Sequence, residues 1–178
     1  VYEDFKQLTD YSRYDGFYLA IVWSASFACL LGTAFLPVLA QFSLLLTLST
    51  PFFVAYRLRV FREEGRRGVI SYRRSLLYCL RVFFNAALIF SLLQWLYMYF
   101  IDNGRLLMMV SGLYSSSEGK STLAAIGIPY NEFMAALPEA FQPYSLASSS
   151  FVSAIMLGGV CSLFIAAVMS KQVKSRDL

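Results

Sequence analysis

The sequence predicts an all-α, polytopic membrane protein with four transmembrane helices. Three observations carry that prediction. Of 178 residues, 58% are hydrophobic and only 15% charged, against roughly 25% charged in ordinary soluble domains. The polar residues stand in blocks between long apolar runs instead of alternating with them, which is the pattern of repeated membrane crossing. The basic residues flank those runs, so the net charge of +4 reads as a topological signal and not as a nucleic-acid footprint.

The first apolar run, about 17–36, follows Lys6 and Arg13 and has no convincing small-residue cleavage site. It is expected to be a retained span and not a signal peptide. The second, about 38–58, is separated from it only by the punctuation of Gly32 and Pro37 in "LGTAFLPV". A single helix of that combined length would extend roughly 60 Å, about twice the hydrocarbon thickness, so a tight helical hairpin is predicted. Pro51 in "LSTPFF" should kink the second span, with Ser49 and Thr50 near enough to satisfy freed carbonyls.

The third span, about 76–101, exceeds the roughly 20 residues needed to cross, so its ends should reach the headgroups or the helix should tilt. The fourth is about 146–169. Tyr14, Tyr18, Tyr56, Trp95, Tyr97 and Tyr99 fall where aromatic belts belong.

Orientation follows from the bases. The 59–75 loop and its approach carry Arg57, Arg59, Arg62, Arg66, Arg67, Arg73 and Arg74, and the tails add Lys6, Arg13, Lys171, Lys174 and Arg176. The 102–145 segment has only Arg105 and Lys120. The positive-inside rule places both termini and the arginine loop in the cytoplasm. The expected organisation is a single membrane domain over 1–178, N-in and C-in, in a bacterial inner membrane.

The outer segment is not simply polar. "RLLMMVSGLY" suits a short interfacial helix, and "SSSEGKST" reads as a flexible link. In "PYNEFMAALPEAFQP", Tyr130, Phe133, Met134, Leu137 and Phe141 share one helix face, with Glu132 and Glu139 elsewhere. Pro138 should break or kink that helix. It would lie on the outer leaflet or cap the bundle mouth.

Ser150, Ala154, Gly158, Ser162, Ala166 and Ser170 recur every fourth residue along the last span. Small residues at that spacing let helices approach closely in lipid. Span one has a shorter row: Ala20, Ser24, Ala28 and Gly32. The two rows suggest that span one packs on span four, or that the seam of span four meets a second protein.

In the third span Arg81 and Asn85 share a face, while Gln94 falls near the opposite one. Intramembrane polar groups are functional candidates. Arg81 lies close enough to the cytoplasmic end to snorkel to lipid phosphate, or it binds an anionic headgroup or partner carboxylate. Asn85 and Gln94 suit interhelical hydrogen bonds.

Several chemistries are excluded or lack support. There is no histidine, so histidine acid/base catalysis and haem ligation by histidine are out. Cys29, Cys79 and Cys161 sit in apolar stretches without metal-ligand or disulfide spacing. No Asp or Glu is expected within a span core, and no phosphate loop or paired carboxylates are present. No catalytic residue, metal or cofactor is expected. The seven arginines interleaved with Tyr56, Phe61 and Tyr72 could bind RNA on paper, but the loop is pinned at both ends beside inner-leaflet phosphates. It is read as a topology determinant on headgroups or as a specific site for lipid or partner phosphate, with no nucleic-acid partner.

Two stretches, Tyr-Arg through Ile-Ser-Tyr-Arg-Arg-Ser-Leu at 56–76 and Phe-Ile-Asp-Asn-Gly at 100–104, together with the tight hairpin before them and the small-residue span after, give the chain a resemblance to a family. It resembles a Bacteroidota family of four-helix inner-membrane proteins of unknown function. The resemblance covers nearly the whole chain and carries over no catalytic residues. It implies genes beside a polyprenyl-phosphate glycosyltransferase and, by analogy, an accessory role in handling lipid-linked sugars. The leading expectation is a non-enzymatic accessory or structural subunit. It would contact anionic lipid headgroups and work with a membrane-protein partner or as a homo-oligomer. The competing expectation is a flippase-like carrier of an anionic lipid or lipid-linked sugar, using Arg81 and Asn85.

Overall fold

The computed structural model describes residues 2–65 and 68–170, with side chains from Phe5 onward. Its long helices are α1 (Tyr2–Gly32), α2 (Leu39–Val60), α3 (Tyr72–Tyr97) and, last in the chain, α7 (Pro143–Met169). A π-helical turn extends α2 through Phe61–Gly65, and another extends α3 through Met98–Asp102. The four apolar stretches within these elements hold 27 to 31 residues each. At 1.5 Å per residue that is more than 40 Å, enough to cross a bilayer and reach both headgroup layers.

The short α1–α2 and α2–α3 connections make those consecutive helices run antiparallel, which leaves α1 and α3 parallel. The hairpin between α1 and α2 is as tight as expected, with Leu36 N–H donating to the carbonyl of Gly32 at 3.0 Å. Two ends of the bundle result. The starts of α1 and α3 and the finishes of α2 and α7 form the arginine-rich end. The other end carries the α1–α2 turn and three short helices: α4 (Arg105–Ser115), α5 (Ser117–Ala125) and α6 (Tyr130–Ala140).

Helix α3 is the centre of the bundle, with α1 on one side and α7 on the other, while α2 leans mainly on α1. Glycine sets both close approaches. A Cβ on Gly16 would stand 2.6 Å from Asn85 Cβ, and one on Gly158 would stand 2.6 Å from the Phe83 ring. Those positions are too close for any larger residue without movement. Aromatic side chains fill the wider space: Trp23 meets Phe83 and Phe90, and Phe27 meets Phe90 and Tyr97. The buried core runs on through Leu19, Val54, Leu58, Phe61 and Val82.

The seam of span four packs differently from the expectation. Gly158, Ser162 and Ala166 are buried and Ser150 and Ala154 partly so, but the helix they meet is α3 and not α1. The small residues accommodate Phe83, a large side chain, so the fit is knob against notch instead of two small-residue rows face to face.

One further expectation is corrected, and two helices run on through their prolines. The stretch taken as a flexible link is helix α5, started by Ser116, whose hydroxyl accepts from Gly119 N–H at 3.0 Å. That is a regular N-cap with Glu118 favourable in the first turn. Helix α6 carries through Pro138 for two more residues, although the proline has no N–H to donate to the preceding turn. Helix α2 is continuous through Pro51. There Thr50 accepts the Trp23 indole N–H at 3.0 Å, and Ser49 donates to Leu46 O at 2.7 Å.

The Phe-Ile-Asp-Asn-Gly turn gains a physical reason. Asn103 and Gly104 both take left-handed backbone angles, φ 47 and 79, and reverse the chain out of α3. Asp102, buried, accepts from Leu106 N–H at 3.2 and 3.3 Å and starts α4.

Candidate functional site

The polar centre of the molecule lies at the arginine-rich end and joins three helices. Asp15 of α1 is 1% exposed. Its Oδ1 accepts from Arg57 of α2, Nε at 2.6 Å and Nη2 at 2.5 Å. Its Oδ2 accepts from the hydroxyl of Tyr78 of α3. Both carboxylate oxygens are therefore engaged, as a buried charge requires. Around this cluster the Tyr78 ring stacks on Phe61 at 4.9 Å, and Phe61 meets Tyr11 at 5.2 Å. The Arg57 guanidinium lies 5.8 Å from the Tyr18 ring centre.

The cluster's level explains its composition. Arg57 is in the last turn of α2, and Tyr78 is two turns into α3. The polar groups thus sit near the helix ends, where Arg57 keeps 27% of its side chain exposed and the apolar body of the bundle begins.

Sequence reasoning missed Asp15 because it placed that residue in a tail ahead of the first span. The helix in fact begins at Tyr2, four turns before the apolar run. A signal was present: Leu8, Ser12, Asp15 and Leu19, at spacings of four, three and four, are all buried on one face. Ser12 turns its hydroxyl onto Thr9 O at 3.0 Å.

The expected phosphate-contact residues divide. Arg57 is committed to Asp15. Arg62 donates to Met169 O at 2.9 Å, capping the end of α7, and its Nη2 lies 3.4 Å from Glu63. Arg59 pairs with Glu63 at 2.9 Å on the surface, where such a pair stabilises little. Arg73 and Arg74 are exposed in the first turn of α3. Arg66 and Arg67 lie outside the described residues.

Arg81 meets the Thr9 hydroxyl through Nη1 and lies 4.4 Å over the Phe5 ring centre. Asn85 is half-buried against Gly16. Gln94 is buried, and its Oε1 has no hydrogen-bond partner. The structure does not bring Asn85 and Gln94 together, since nine residues put them half a turn apart.

Chemically, this arrangement holds helices. Asp15 is 1% exposed and both of its oxygens are engaged by donors from neighbouring helices. Among the described residues no three His, Cys, Asp or Glu side chains gather as a metal site, and all three cysteines are free thiols.

Fold and site together define a multi-pass helical membrane protein whose helices are locked by a buried ion cluster. The family model for the protein of unknown function DUF4199 matches residues 14–171, and the chain belongs to that family. No curated protein and no solved structure matches it.

Proposed function

We propose that this protein is a non-enzymatic structural subunit of a larger membrane assembly, seated N-in and C-in in a bacterial inner membrane. Its arginine-rich end rests on anionic headgroups. The observation that supports this reading best is the Asp15–Arg57–Tyr78 cluster. It ties α1, α2 and α3 at one level, and the interior beyond it is filled by Trp23, Phe27, Phe83 and Phe90. A bundle so filled suits a fixed scaffold. A carrier needs a polar route through the bundle, and Asn85 and Gln94 point to opposite sides of α3.

The charge distribution supports the orientation. Arg59, Arg73 and Arg74 lie exposed at one end, where each basic residue near an anionic surface contributes about 1 kcal/mol. The outward faces of α2 and α7, with Phe52, Leu48, Leu157 and Val168 exposed, offer surface for lipid or for partner helices. The relatives implied by the sequence resemblance, encoded beside a polyprenyl-phosphate glycosyltransferase, suggest an assembly that handles lipid-linked sugars.

The test is purification of the tagged chain from its native membrane in mild detergent, with the mass of the intact particle measured. A particle well above the 20.1 kDa chain, containing a second polypeptide or further copies, is expected. A lone chain at every detergent mild enough to preserve known complexes would refute the subunit reading.

A further inference from the structure

We propose that the groove between α3 and α7 at the arginine-rich end holds one anionic phospholipid, with its phosphate on Arg81 and an acyl chain along the groove floor. This rests on the reading that the arginine-rich end faces anionic headgroups. It adds a defined site to what would otherwise be a diffuse surface.

Three observations converge. The first is charge. The Arg81 guanidinium is met by a hydroxyl and an aromatic ring, both neutral. Among the described residues, Arg57, Arg59 and Arg62 by contrast each have a carboxylate within ion-pair distance. A guanidinium within a membrane-spanning stretch is costly unless paired, and a phosphate satisfies it with short, charge-assisted hydrogen bonds.

The second is direction. Gly16 lies level with Asn85. Counting back along the two helices, the Arg81 backbone is about 6 Å, and Thr9 about 10 Å, nearer the arginine-rich end than that level. The side chain therefore reaches back toward the headgroups, as a snorkelling arginine does. Thr9 and Phe5 fix it there before any lipid arrives.

The third is shape. Beside Arg81, the side chains of Leu77, Leu80, Phe84 and Ile155 with Gly159 line a concavity of about 290 Å³. A Cβ on Gly159 would meet nothing within 4 Å, so this glycine is not required for helix packing and leaves the groove floor open. Phe84 meets Phe151 edge-on at 6.1 Å, which separates this groove from a second one near Trp95 and Tyr144. Apart from Arg81 the lining is apolar, which suits an acyl chain lying beneath a phosphate held by that arginine.

The experiment is a lipid titration of the purified, delipidated full chain in detergent, read by native mass spectrometry. Phosphatidylglycerol is compared with phosphatidylcholine. Wild-type protein should bind a first phosphatidylglycerol at least about tenfold more tightly than phosphatidylcholine. Arg81→Gln should remove that preference. Gly159→Leu, which fills the floor without touching the charge, should weaken the first step for both lipids. Arg105→Gln, at the far end, should change neither. Unaltered first-step binding in Gly159→Leu overturns the site even if Arg81→Gln fails to fold. If Arg59→Gln/Arg73→Gln abolishes the preference and the groove variants do not, the headgroup contact stands and the groove site is refuted. If the wild-type protein shows no preference at all, both fail.

Discussion

Breaking the buried ion pair from the arginine side should cost more than removing it whole. Arg57→Met leaves Asp15, 1% exposed, with only the Tyr78 hydroxyl. Removing one partner of a fully buried pair costs about 3–5 kcal/mol. Because Arg57 is 27% exposed, the lower end, about 3 kcal/mol, applies. Asp15→Asn keeps the shape and leaves an arginine able to turn outward, so the loss is that of a charged hydrogen bond, about 2 kcal/mol. If the two effects were independent, the double variant would lose about 5 kcal/mol. The pair's geometry predicts only about 2 kcal/mol, since no uncompensated charge remains. With about 2–4 °C of melting temperature per kcal/mol at this chain length, Arg57→Met should melt roughly 6–12 °C below wild type in detergent. The double variant should melt above it. A double variant that falls by the sum of the singles, or singles that melt with the wild type, would refute the argument that Asp15 depends on Arg57.

Other consequences follow from particular contacts. Gly158→Ala should lose about 1–3 kcal/mol by overpacking against Phe83, whereas Gly159→Ala, facing open space, should hold or raise the melting temperature. Arg62→Met should leave the bundle folded but speed proteolysis at the end of α7, because the Met169 carbonyl loses its donor; unchanged cleavage would count against the cap. For orientation, Lys120→Cys should react with a membrane-impermeant maleimide in intact cells, while Arg73→Cys should react only after lysis. The reverse pattern would invert the proposed topology.

Much of the fold was legible because the bilayer imposes it. Long apolar runs must be helices, and Gly32 with Pro37 gave the tight hairpin. The helix ends were less legible. A span's hydrophobicity marks where lipid begins, not where the helix starts, so α1 extends back to Tyr2 through polar residues. That extension hid Asp15. The rows of small residues were visible, but their partner was not: spacing shows that a helix can be approached closely, and only the fold shows that Phe83 does so. The arginine loop showed its charge without showing that Arg57 and Arg62 spend theirs within the protein, one on Asp15 and one on the end of α7. Helix α5 was misread because its serines and glycine resemble a linker. Ser116 is in fact its N-cap.

The proposed scaffold differs from a carrier in offering no route across the membrane. The most direct measurement is lipid translocation in liposomes that hold the purified protein and a trace of fluorescent phosphatidylglycerol, with outer-leaflet label quenched by dithionite. A closed bundle should give the same slow loss of inner-leaflet label as protein-free liposomes, for wild type and for Arg81→Gln alike. Rapid translocation by the wild-type protein that disappears in Arg81→Gln would contradict it.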